Sequence, residues 1–99
     1  MKNQFGVGRA VRILRQMRNL TQEDFSDVSS RTYVSSVERG LKSPTIMKIN
    51  ELASALVIHP ASLLALACCA PDLSDIEAVL ISIRNDLTDA KAYIVANRG

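Results

Sequence analysis

TQEDFSDVSSRTYVSSVERG, residues 21–40, is the stretch whose reading decides the fold. Thr21 is a good N-cap, and Phe25 and Val28 follow at helical spacing, which predicts a helix over residues 22–28. Glu23 and Asp24 fall in its first turn, where negative charge favours the helix dipole. Ser29 or Ser30 offers a second N-cap, and Val34 and Val37 form the apolar side of a second helix over residues 30–39. Gly40 stands where a left-handed C′ residue is wanted. Two short helices that share one core and leave a hydroxyl-rich outer face are the parts of a helix-turn-helix.

Upstream, residues 5–18 read as an amphipathic helix. Val7, Val11 and Leu14 set its apolar stripe, Ala10 and Ile13 widen it, and Met17 or Arg18 extends it. Arg9, Arg12, Arg15 and Arg18 recur every third residue and so spiral across the surface. Asn19 marks the helix end, with Leu20 packed before the Thr21 cap. Downstream, a tight loop carries Arg39 and Lys42 beside the two short helices. Ser43-Pro44 opens the next helix with proline near N1, where its missing N–H costs nothing. Ile46, Ile49, Leu52, Ala53 and Leu56 are its core stripe. His59-Pro60 starts another, closed by Leu63, Leu64 and Leu66.

Ala70-Pro71-Asp72 breaks this pattern. Ser74 to Glu77 has the form of a capping box, with Leu73 as its staple residue. Leu73, Ile76, Leu80, Ile83, Leu87, Ala90 and Ile94 then alternate three and four apart, a heptad repeat. Glu77, Arg84 and Lys91 occupy one flank, and Val79, Asp86 and Tyr93 the other. Such a helix predicts a dimerisation surface; the alternative is that it folds back on its own domain. Val79 and Ile81 lie off the seam and point to an interface broader than a simple two-stranded zipper. Strand direction stays open, because Asp86 with a partner's Lys91 suits parallel pairing and Glu77 with a partner's Lys91 suits antiparallel pairing.

Composition bounds the function. Of 99 residues, 47% are hydrophobic, tryptophan is absent, and two Phe and two Tyr are the only aromatics, so the core has to be aliphatic. The net charge is +2, yet residues 1–48 carry +5 and residues 49–99 carry −3. A basic half joined to an acidic half fits a nucleic-acid binder with a separate association segment. No apolar run is long enough for a membrane span, and no signal peptide is visible, so the expected location is cytoplasmic. Cys68 and Cys69 are adjacent and have no CxxC or histidine partner, which suits packing residues in a reducing compartment better than a metal site. His59 is the lone histidine and reads as a cap or loop residue. No catalytic grouping, phosphate-binding glycine loop or cofactor motif is present, so an enzyme is not expected.

At this point the residues resemble a known family. Thr21-Gln22, then Tyr33-Val34-Ser35-Ser36-Val37-Glu38-Arg39-Gly40, then Ser43-Pro44-Thr45 are similar to the phage Cro/C1-repressor type (XRE-like) DNA-binding domains, over roughly residues 5–66. The segment between Thr21 and Tyr33 is shorter than the usual pattern and lacks the customary turn glycine, and Val57 stands where such domains usually have glycine. The resemblance implies an all-α fold, a five-helix lambda-repressor-like DNA-binding domain over residues 1–69, to which the heptad pattern adds a long dimerisation helix over residues 70–99. It implies base contacts from Arg31, Thr32 and Ser36. Arginine can give two hydrogen bonds to guanine O6 and N7. It implies phosphate contacts from Thr21, Gln22, Tyr33, Ser35, Arg39 and Lys42, and an ion pair of Arg15 with Glu38. The competing readings are a solvated Arg15, a capping Gln22 and a Tyr33 that serves as a strut.

The function so implied is a DNA-binding transcription regulator, a repressor, that grips a pseudo-palindromic operator as a homodimer. Two alternatives stand beside it. One is an antitoxin-like module whose C-terminal helix pairs with a regulatory protein partner. The other is a controller protein of a restriction-modification system, to which the 29–40 segment is also similar.

Overall fold

The computed structural model describes residues 6–98, and among these all regular structure is helical. The expected helix start at Phe5 lies outside the described residues. Helix α1 spans Val7–Met17, a 3₁₀ segment spans Gln22–Phe25, and α2 spans Arg31–Glu38. They are followed by α3 (Ile46–Leu56), α4 (Pro60–Cys68) and α5 (Ile76–Ala96). The chain divides into two compact units, Met1–Cys68 and Cys69–Gly99.

The first unit closes around one core. Ala10, Val11 and Leu14 come from α1, Phe25 from the 3₁₀ segment, Val34 and Val37 from α2, Ile49, Leu52 and Leu56 from α3, and Leu63 and Ala67 from α4. Each large side chain buried here is worth about 1.5–3 kcal/mol. Because α1 and α3 bury residues at helical spacing, rotation of each about its axis is fixed. Ile46 departs from the expected core stripe and is exposed. It is the first residue of α3, one turn beyond Ile49, where the core has ended.

The second helix differs in kind from the expectation. Residues 22–28 do not form an α-helix but a 3₁₀ turn, continued by further short-range bonds. The Asp24, Ser26 and Val28 N–H groups donate to carbonyls three residues back. The short link explains the change: a 3₁₀ turn rises more per residue than an α-helix and spans the gap with fewer residues. Thr21 N–H donates to the Asp24 carboxylate at 2.6 Å, the return half of a capping box.

Other helix ends are settled by local hydrogen bonds. Thr45, not the Ser43-Pro44 pair, caps α3, its Oγ1 accepting from Lys48 N–H at 3.2 Å. Pro44 therefore precedes the cap. Helix α3 ends on Val57 in the left-handed region, φ 58° and ψ 49°. Arg18 reaches across to this end, donating from Nε to Leu56 O at 2.9 Å and from Nη2 to Val57 O at 3.1 Å. His59 Nδ1 accepts from Ala61 N–H at 3.0 Å and so caps α4.

In the second unit, α5 is a 21-residue helix with no buried side chain. The expected capping box at Ser74 and Glu77 does not form, because the helix begins later, at Ile76. The preceding turn is held instead by Ala70 N–H donating to Asp75 Oδ1 and Ser74 N–H donating to Asp72 Oδ1. Leu73 lies in that turn with φ 59°, outside the helix. The heptad seam on the helix itself thus runs Ile76, Leu80, Ile83, Leu87, Ala90 and Ile94.

Candidate nucleic-acid interface

The N-terminal end of α2 is built to be presented. Ser30 Oγ accepts from Tyr33 N–H at 3.0 Å and satisfies one of the free donors of the first turn. Val34 and Val37 are fully buried, which turns Arg31 and Thr32 to solvent. Arg31, Thr32, Ser35 and Arg39 line one shallow depression together with Gln22 from the 3₁₀ segment. Thr21 lines the adjoining one with Arg15, Gln22, Glu23 and Arg31. The result is a polar surface with two exposed guanidinium groups and two hydroxyls along one helix face.

Three of the expected contact residues do not line those depressions. Ser36 stands one helical turn from the exposed Thr32 but is itself only 8% exposed, which leaves its hydroxyl little surface for the expected base contact. Tyr33 packs against the core as a half-buried strut, with Lys48 Nζ 5.2 Å from its ring centroid. Lys42 is exposed but lines a different depression, with Ser43 and Pro44.

Behind the surface sits a charged anchor. The Glu38 side chain is 1% exposed and that of Arg15 is 14% exposed. Arg15 Nε donates to Glu38 Oε2 at 2.7 Å and Nη2 donates to Oε1 at 3.1 Å, a two-pronged pair joining α1 to the end of α2. Arg15 Nη1 donates to Leu20 O at 2.9 Å. Gln22 Nε2 donates to Glu38 Oε1 at 3.1 Å, and Arg12 Nε lies 3.5 Å from the same oxygen. Burial pushes the Glu38 carboxyl upward, but the hydrogen bonds from Arg15 and Gln22, the Arg15 charge and the Arg12 contact outweigh it. The group rests below the ordinary carboxylate range and stays ionised. Gln22 is thus neither a cap nor a free surface amide: it is tied to the anchor.

Several supporting residues escaped the sequence reading. Lys48 donates to Val28 O at 3.0 Å and to Ser29 Oγ at 3.2 Å, and pairs with Glu51 at 3.1 Å. It fastens α3 to the turn that precedes α2. Glu23 lies 3.7 Å from Arg31 across the exposed surface. Gly8 permits α1 to approach α2, since a Cβ there would lie 2.3 Å from Val37 O. A glycine inside a helical pattern is the signal that could have exposed it. Nothing in the spacing flags the ties of Lys48 to Val28 and Ser29, which lie 20 and 19 residues away.

A helix-turn-helix family model, HTH_3, matches residues 11–63, more than half of the chain. The chain belongs to this Cro/C1-type helix-turn-helix family. It is 41% identical over 59 residues to an uncharacterised HTH-type transcriptional regulator, y4dJ, of Sinorhizobium fredii, covering 58% of this chain and 77% of that one. Its fold is similar to the crystal structure of the restriction-modification controller protein C.AhdI from Aeromonas hydrophila. There the TM-score is 0.55 and the identity 37%, covering 58% of this chain and 86% of the other. The matched residues include both the 3₁₀ segment and α2.

Proposed function

We propose that this helix-turn-helix protein is a cytoplasmic transcription repressor that binds a pseudo-palindromic operator as a homodimer, with α2 in the major groove. The single observation that carries the reading is that Gln22, Arg31, Thr32, Ser35 and Arg39 together line one depression. In this reading Arg31 and Thr32 touch base edges. Thr21, Ser35, Arg39 and Lys42 meet phosphates, as does Gln22 where its bond to Glu38 leaves it within reach. The +5 charge of residues 1–48 supplies the long-range attraction. Homodimerisation through α5 gives the two-fold symmetry that a pseudo-palindromic site mirrors, with recognition helices about 34 Å apart.

The test begins with footprinting the DNA upstream of the protein's own coding region. Gel shifts on the protected site then compare two variants. Arg31→Ala should cost about 1–3 kcal/mol on the operator and far less on random DNA. Arg39→Ala should weaken both about equally and lower the salt slope by about 1. Unchanged operator selectivity in Arg31→Ala would remove α2 as the reading helix.

A second reading is favoured by the 37% identity to C.AhdI: a controller that acts on the genes of a restriction-modification system. A footprint ahead of a nuclease gene, and not only ahead of the protein's own gene, would select it.

A further inference from the structure

The order of side-chain shapes along α5 carries information about how many chains it gathers. With the step of three taken from a to d, Leu80, Leu87 and Ile94 fall at a, and Ile76, Ile83 and Ala90 at d. In a parallel two-stranded coil the Cα–Cβ bond at d points straight into the facing hole, which crowds a β-branched side chain. In the four-stranded arrangement the crowded site is a and the roomy site is d. Leucine at a with isoleucine at d therefore disfavours two strands and favours larger bundles.

Two further features agree. Apolar side chains also stand off the seam: Val79 lies on one flank, and Ile81 and Val95, both half exposed, lie beyond the charged flank of Glu77, Arg84 and Lys91. A two-stranded zipper leaves such positions wet, whereas a helix with two neighbours covers more of them. The charges bear on direction. One edge carries Glu77, Arg84 and Lys91, and the opposite edge carries Asp86, with Asp89 beside it. Parallel neighbours set Asp86 of one helix against Lys91 of the next, whereas antiparallel packing pairs Glu77 with Lys91 but sets Arg84 against Arg84 and Asp86 against Asp86.

We infer that α5 gathers four copies of this chain into a parallel bundle, the partner being three further copies of itself. The inference rests on the proposal that α5 is a self-association helix. Four DNA-binding units would then be held together, enough for two operators at once.

Sedimentation equilibrium of the full-length protein at micromolar concentration tests it. The expected mass is four times the 10.8 kDa of one chain. Twice that chain mass overturns the four-chain bundle and leaves the homodimer standing. A single-chain mass overturns both. A seam-exchange variant carrying Ile76→Leu, Leu80→Ile, Ile83→Leu and Leu87→Ile should keep its circular-dichroism helicity and shift to the two-chain mass; persistence of four chains would refute the shape argument. Asp86→Lys should loosen the assembly, and adding Lys91→Asp should restore it. Failure of that rescue would overturn the parallel direction.

Discussion

Glu38 keeps a full negative charge with its side chain almost wholly out of water, and Arg15, Gln22 and Arg12 hold it there. Removing one partner of a buried pair strands the other, so Glu38→Ala should cost about 3 kcal/mol in urea unfolding. The sign of the pH effect follows from the same site. The folded-state carboxyl lies below its unfolded value, so its contribution is complete above about pH 4.3 and is lost as pH falls through the lower, folded value. Stability from this group should be level between about pH 8 and 5 and decline below about pH 4. Glu38→Gln, less stable at neutral pH, should show a shallower acid decline than the natural protein; equal acid slopes would place the titrating group elsewhere. Val57 illustrates the opposite situation, a side chain with nothing to gain. It is 78% exposed in a left-handed conformation that costs a β-branched residue about 1–2 kcal/mol. Val57→Gly should raise the unfolding free energy by about 1 kcal/mol, a gain that calorimetry would detect as a higher melting temperature.

Between elements, the decisive contacts are close approaches and end caps. Helix α1 meets the end of α2 at Gly8, where backbone carbonyls of Val37 and Glu38 leave no room for a methyl group. Gly8→Ala should force the two helices apart and destabilise the domain by about 2 kcal/mol. A variant as stable as the natural protein would show that the interface yields without cost. Arg18, capping the carbonyl end of α3, and Lys48, holding the turn before α2, perform the same service with side chains. These ties matter for the candidate interface because the 3₁₀ segment is too short to be stable on its own. Its position, and that of Gln22 at its start, depends on what is fastened around it.

For the whole molecule, the proposed function raises the matter of affinity. On that proposal one recognition helix with a single base-reading arginine gives modest affinity, and linked modules add through effective concentration. On the proposed self-association, removing residues 70–99 should leave residues 1–69 folded, by circular dichroism, while operator affinity drops about 100-fold. Equal affinity in gel shifts would mean that α5 contributes nothing to DNA binding.

What the sequence determined by itself was whatever depends on short-range periodicity. The helical class, the inward valines of α2, a serine cap at Ser29 or Ser30, the proline at the start of α4 and the heptad of α5 are all read from local residue types and from spacings of three, four or seven residues. So did the family, because Thr21-Gln22 and the 33–45 motif are local. Only the tertiary structure decided what depends on residues distant in the chain. It replaced a helix by a 3₁₀ turn over a short link, left Ser36 little exposed and turned Ile46 outward, placed Leu73 in a turn, and committed Gln22 to Glu38. It also revealed Gly8, Arg18 and Lys48 as fasteners. The physical reason is common to all of these: a periodic pattern fixes which side of a helix is apolar, whereas the edge of the core and the partner of each polar group exist only once separate segments have packed.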